Sequence, residues 1–188
     1  MIPAEPPHLA PFDIAAIYVP SYELSGDFYD FIPLPDDNLG LAVCDVAGKG
    51  VRASLMTASV RASLRAHAHN VYDMTTVMAL VNRDLSADTA SSDFATLFYG
   101  VLNGPQRRFT YANAGHVPPL LLRGGRHSYL DSGGFMLGVE PGGTWDYDSF
   151  VLERGDVVLA YTDGLNEAMN FEDEMFGRER VTAAALAA

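Results

Sequence analysis

Lysine is almost missing: Lys49 is the only one in 188 residues, and the other eleven basic residues are arginines. Against 24 Asp and Glu, this leaves a formal net charge of −12. Such a balance argues against nucleic acid, because phosphate backbones are held by stripes of Lys and Arg that release counterions. An acidic protein still meets a phosphorylated partner where cations supply the local positive charge. Cysteine is equally scarce. Cys44 stands alone, so no intrachain disulfide forms and a reducing, cytoplasmic setting is expected. No activating His or cation adjoins it, so it reads as a small buried hydrophobe rather than a nucleophile. No run of about 18 apolar residues occurs, so no membrane-spanning helix is expected. The opening MIPAEPPHLAP lacks a basic region and an apolar core, so no signal peptide is expected. Residues 1–12 therefore read as a Pro-rich lead-in, and 13–188 as the domain.

What is present suits one soluble globular domain, with 48% hydrophobic and 19% charged residues. FDIAAIYVPS and GDFYDFIPL read as strands, and PDDNLG supplies the turn into a buried strand, LGLAVCDV. That hairpin carries Asp27 on one arm and Asp45 at the far end of the other. Val51 to about His69 is Ala- and Leu-rich without Gly or Pro and predicts a helix. DMTTVMALVNRDLSAD predicts a second, with Asp73 as its N-cap. ATLFYGVL, RRFTYANA, a hairpin around Gly124-Gly125, WDYDSFVL and DVVLAYTD continue as strands, and RERVTAAALAA closes in a helix. Strands, then two consecutive helices, then strands again suggest antiparallel sheets with helices packed outside.

The stretch CDVAGKGVRAS poses a choice of chemistry. A phosphate-gripping loop of the form G-x-x-x-x-G-K-[ST] requires Gly at 43 and Ser or Thr at 50, where Val43 and Gly50 stand. The nucleotide reading fails there. Asp27, Asp45 and Asp163 each sit at or near the end of an apolar strand, where a carboxylate is costly to bury unless paired or bound to a cation. Gly48 and Gly164 follow two of them and let backbone approach a ligand. Hard oxygen ligands without His or Cys favour Mg²⁺ or Mn²⁺. The plainer alternative is that each Asp begins a turn or caps a helix, Asp45 capping the one that starts near Val51.

Together, GDFYDF, CDVAGKGVRASLM, FATLFYGVL, YANAGHVPPLLL, VVLAYTDGLNEA and FGRERV resemble, in order and over nearly the whole chain, the SpoIIE/RsbU-type protein serine/threonine phosphatases of the PPM (PP2C-like) superfamily. The resemblance implies an α+β fold, a four-layer αββα sandwich of two antiparallel sheets flanked by helices. It implies two Mn²⁺ or Mg²⁺ ions in the complete domain, with Asp45 bridging them, the Val46 carbonyl on one, and Asp27 and Asp163 on the other. It further implies that metal-activated water hydrolyses a phosphoserine or phosphothreonine, so that Asp27, Asp45 and Asp163 act in catalysis through that water. The absence of a G-x-S-x-G or C-x₅-R nucleophile motif agrees with this. The implied substrate is a phosphorylated STAS-type anti-anti-sigma factor, with an upstream sensor or receiver domain regulating the enzyme.

Other residues carry smaller expectations. Lys49 and Gly48 line the loop where substrate phosphate would lie, although Lys49 also suits a solvated loop. Asp30, Gly164 and His116 are candidates for supporting the ligands from behind, and His116 in NAGH equally suits shaping a turn. Arg52 and Arg61 are expected on the solvent side of the first helix. The resemblance usually ends in a strand with Asp-Asp-x-Thr, and no such segment follows Asp163 here. The domain is therefore expected to lack its C-terminal strand, leaving an edge open to pairing with a second copy. It is also expected to hold at most one metal firmly. A non-catalytic pseudophosphatase, a regulatory binding domain of the same fold, is the alternative.

Overall fold

The computed structural model describes residues 2–3, 5–20, 26–48, 50–88 and 93–188. Its first elements are β1 (Phe28–Leu34) and β2 (Asn38–Val46), followed by α1 (Val51–Asn70) and α2 (Met74–Asp88). Next come β3 (Ala95–Asn103), β4 (Arg108–Ala114), β5 (Leu120–Arg123), β6 (Arg126–Tyr129), the two-residue β7 (Gly133–Gly134), β8 (Asp148–Val151) and β9 (Val157–Leu159). A short α3 (Asp163–Asn166) and α4 (Gly177–Ala187) complete the chain. The larger sheet runs β1-β2-β3-β4-β7, with β8 also on β4, and the smaller runs β6-β5-β9. All pairings are antiparallel except the brief β4–β7 contact.

The strands alternate between two apolar environments, as a period of two requires. Ala42, Cys44 and Val46 of β2 and Leu97 and Tyr99 of β3 face α1 and α2. Phe98 and Leu102, offset by one, instead join Phe109, Tyr111 and Leu121 between the sheets. There Phe98 and Tyr111 stack with ring centroids 5.5 Å apart. On the far side Leu120 and Leu122 of β5 meet Val181 of α4. Three cores between four layers make the expected αββα sandwich. On α1 the buried residues Ala53, Met56, Val60, Leu64 and Ala68 follow helical spacing. Burying one such Leu contributes roughly 1.5–3 kcal/mol.

Three expectations need correction. Among the described residues, 13–20 of FDIAAIYVPS form no strand, and Ile17 and Val19 stand largely exposed. Its apolar alternation finds no sheet edge to pair with. Asp163 does not end a strand: β9 stops at Leu159, and Asp163 opens α3 after Thr162, the N-cap. An acid in a helix's first turn meets the positive end of its dipole. Asp45 does not cap α1, whose N-cap is Gly50 without any side-chain cap.

Candidate metal centre

The register of the first hairpin builds the site. Phe28 pairs with Cys44, and continuing that register by one residue sets Asp27 opposite Asp45. Asp45 in turn pairs with Thr96 across β2 and β3. Because Cys44 and Val46 face the helices, Asp45 faces the space between the sheets. The end of β1 reaches Asp45 only because residue 26 is glycine. A Cβ there would lie 2.4 Å from the Val46 carbonyl oxygen, closer than any real contact. The Val46 N–H donates to the Gly26 carbonyl at 3.3 Å, and the Thr57 hydroxyl of α1 donates to the same oxygen at 3.0 Å. From the segment that follows β9, Thr162 donates its hydroxyl to Asp27 Oδ2 at 2.8 Å. That bond ties the segment bearing Asp163 to the first hairpin.

Acids act on acids here. Burial pushes the Asp45 carboxyl up to about 7, and Asp27, Asp163 and Glu167 push in the same direction. Asp163 is raised by burial, by Glu167 and by Asp27. Four carboxylates thus share one end of the sandwich, and every charge that perturbs Asp45 is negative. A divalent cation reverses the sign of that environment, so the donor set fits Mg²⁺ or Mn²⁺. Among the described residues, however, no group of three or more His, Cys, Asp or Glu side chains is already placed to hold an ion. The acids are gathered but not converged.

His116 lies beneath this cluster. Its backbone N–H donates to Asn113 Oδ1 at 2.7 Å, and Asn113 Nδ2 donates to the His116 carbonyl at 3.1 Å. It therefore shapes the turn after β4. Its Nδ1 is also hydrogen-bonded to the Thr96 hydroxyl at 2.7 Å. Burial pushes its imidazole down to about 4, so the ring is neutral at pH 7. Among the described residues Nε2 has no partner within hydrogen-bond geometry, and the Tyr161 backbone and Asp27 are the nearby groups that favour its proton. The ring sits between the first sheet and the segment that follows β9.

The remaining candidates separate. Gly48 follows Asp45 in a loop with φ of 111°, and Gly164 is exposed in the first turn of α3. Lys49 lies outside the described residues. Asp30 is on the other face of β1 from Asp27, three residues on, so it does not back the acid cluster. It is buried against α1, where Arg65 Nε donates to Oδ2 at 2.5 Å and Arg61 Nη2 to Oδ1 at 3.1 Å. Arg61 is therefore an ion-pair partner and not a solvated residue, whereas Arg52 lies on the solvent side as expected, its side chain 67% exposed while it pairs with Asp93. The residues that sequence reading passed over are Gly26, Thr96, Thr162 and Arg65. Of these, Gly26, Thr96 and Thr162 lie inside the quoted stretches GDFYDF, FATLFYGVL and VVLAYTDGLNEA, whereas Arg65 lies in none of them.

The family described as Stage II sporulation protein E (SpoIIE) matches residues 35–188. The phosphoserine phosphatase RsbU of Bacillus subtilis is 31% identical over 159 residues, which cover 82% of this chain and 47% of that protein. Protein IcfG of a Synechocystis strain is 31% identical over 208 residues, covering 96% of this chain and 33% of that protein. The chain thus spans between a third and half of these relatives' length. Among solved structures, the RsbU and RsbW domains of Rv1364c from Mycobacterium tuberculosis superpose with a TM-score of 0.72 at 31% identity. That match covers 89% of this chain and 46% of the other. By matched length and by identity, the chain belongs to the SpoIIE family.

Proposed function

We propose that this domain is a metal-dependent protein serine/threonine phosphatase that hydrolyses a phosphoserine or phosphothreonine on a signalling protein, a STAS-type anti-anti-sigma factor. One observation carries the reading: half-buried Asp45, pushed up to about 7 among Asp27, Asp163 and Glu167, has only acids acting on it. Such a cluster is unfavourable without a cation and favourable with one. Asp27, Asp45 and Asp163, with the Val46 carbonyl, are the groups that would hold Mn²⁺ or Mg²⁺. A bound ion supplies Lewis acidity, lowers the pKa of its water and neutralises phosphate charge.

The chain's own side chains support a route without a protein nucleophile. Cys44 is fully buried, and burial together with Asp45 and Asp27 pushes its thiol well up. His116 is neutral at pH 7 and holds Thr96 rather than serving as an imidazolium acid. Thr162, at the start of α3, orients Asp27. Gly48 and Lys49 flank the loop proposed to meet the substrate phosphate. Regulation would come from segments of a longer protein, such as a sensor or receiver domain.

A second reading, a non-catalytic binding domain, draws on the lack of a preformed three-residue ligand group among the described residues. The two are separated by phosphate release from a phosphorylated STAS-type protein, measured with Mn²⁺ or Mg²⁺ for the wild type and Asp45→Ala. Metal-dependent release that Asp45→Ala abolishes supports the enzyme. No release by the wild type with metal present rejects it.

A further inference from the structure

The segment that follows Asp163 is internally hydrogen-bonded and yet almost wholly in water. Residues 167–176 are all exposed. Their turn is organised by one side chain. Asn170 Oδ1 accepts the backbone N–H groups of Glu172 at 2.9 Å and Glu174 at 3.0 Å, while its Nδ2 donates to Glu174 Oε2 at 3.1 Å. Below the turn Met169 and Met175 form an isolated bridge, and the Phe176 N–H donates to the Ala168 carbonyl at 2.7 Å. This hydrogen-bonded finger presents Phe171 fully exposed at its tip, with Met169 at 58%, Met175 at 52% and Leu165 at 44% exposure. A hydrogen-bonded display of one aromatic and several flexible apolar side chains has the composition of an interface core rather than of ordinary surface.

Charge selects the occupant. From Asp163 to Arg178 the sequence has five acids, Asp163, Glu167, Glu172, Asp173 and Glu174, and no basic residue in between. A second copy of this chain, at −12, is repelled by such a surface. A segment carrying Arg or Lys among apolar residues is attracted to it. The finger is also continuous with α3, whose first residue is Asp163.

We propose that the finger, residues 165–176, is the docking surface for a basic and apolar stretch flanking the phosphorylated residue of the protein substrate. The inference rests on the phosphatase reading, since α3 joins the finger to the acid cluster. A phosphate approaching that cluster carries the wrong charge, and basic flanks held on the finger offset the repulsion as the phosphate nears the site. Phe171 is the anchor, and Glu172 and Asp173 at the tip supply the complementary charge.

The test uses the 188-residue chain with Mn²⁺ and three substrates. These are p-nitrophenyl phosphate and two phosphoserine peptides of equal length, one flanked by Arg and Leu, the other by Glu and Ser. The expected result is a preference of about tenfold in kcat/KM for the Arg/Leu peptide, carried by KM. In Phe171→Ser the ratio of kcat/KM for that peptide to that for p-nitrophenyl phosphate falls about tenfold, the effect of losing one aromatic anchor. Reversing both tip charges, Glu172→Lys with Asp173→Lys, shifts the preference toward the Glu/Ser peptide. Turnover of p-nitrophenyl phosphate with equal handling of the two peptides, or an unchanged ratio in Phe171→Ser, overturns the docking surface alone. Absence of turnover of all three substrates rejects the phosphatase reading and the inference with it. A dimer in sedimentation that Phe171→Ser dissolves assigns the finger to a second copy and likewise overturns it.

Discussion

Gly26 has no functional group, yet the position of Asp27 against Asp45 depends on it. A methyl at residue 26 would press on the Val46 carbonyl oxygen, a backbone atom that cannot rotate away. Gly26→Ala is expected to cost on the order of 1–3 kcal/mol in urea unfolding. It is also expected to weaken Mn²⁺ binding, because the strained carbonyl belongs to the proposed ligand set. Unchanged stability together with unchanged Mn²⁺ affinity would show that the close approach relaxes harmlessly. At this scale the sequence is only partly legible. Asp27, Asp45 and Asp163 stand out because a carboxylate beside an apolar stretch is costly to bury unpaired, although Asp163 opens α3 rather than ending a strand. Thr96 and Thr162 do not, because nothing local distinguishes a threonine that meets His116 or Asp27 from any other strand or turn threonine. Those bonds join residues 20 and 135 positions apart.

Among the elements, α1 is fastened to β1 by charge as well as by its apolar stripe. Burial raises the Asp30 carboxyl, but hydrogen bonds and charges from Arg65 and Arg61 outweigh it and hold the group below the ordinary carboxylate value. A folded-state pKa below the unfolded one, about 3.9, stabilises the fold above that value, and the stability is lost as pH falls through the folded-state pKa. In urea unfolding, Asp30→Asn is expected to lower stability by roughly 2 kcal/mol at neutral pH, as expected for losing hydrogen bonds to a charged group. It is also expected to flatten the wild type's fall below about pH 4. An identical acid profile in the variant would remove Asp30 from that role. The second helix has a simpler fastening. Asp73 Oδ2 accepts the Thr76 backbone N–H at 2.8 Å, the N-cap that the sequence suggests, and Asp73→Ala should cost about 1 kcal/mol in the same measurement. The α1–β1 ion cluster is less legible, because Arg61 looks like any exposed helical arginine until β1 places Asp30 beneath it. FDIAAIYVPS misleads for the opposite reason: alternation marks a strand only where a partner edge exists, and residues 13–20 have none.

Across the whole molecule, the candidate centre is assembled from halves that meet only in the finished sandwich. Asp27 and Asp45 come from the larger sheet, and Asp163 follows β9 of the smaller. The layer order is legible from the run of strands, paired helices and strands, with the hydrophobic period switching between them. The crossing of Thr162 to Asp27 is a tertiary fact with no local trace. The gathering of acids in a chain of net charge −12 is what a cation site explains and a plain scaffold does not. Calorimetric titration of Mn²⁺ into the wild type and into Asp45→Asn at neutral pH tests this most directly. The wild type is expected to bind Mn²⁺, and Asp45→Asn to bind it far more weakly. A wild type that takes up no Mn²⁺, or a variant that binds it equally well, would contradict the account.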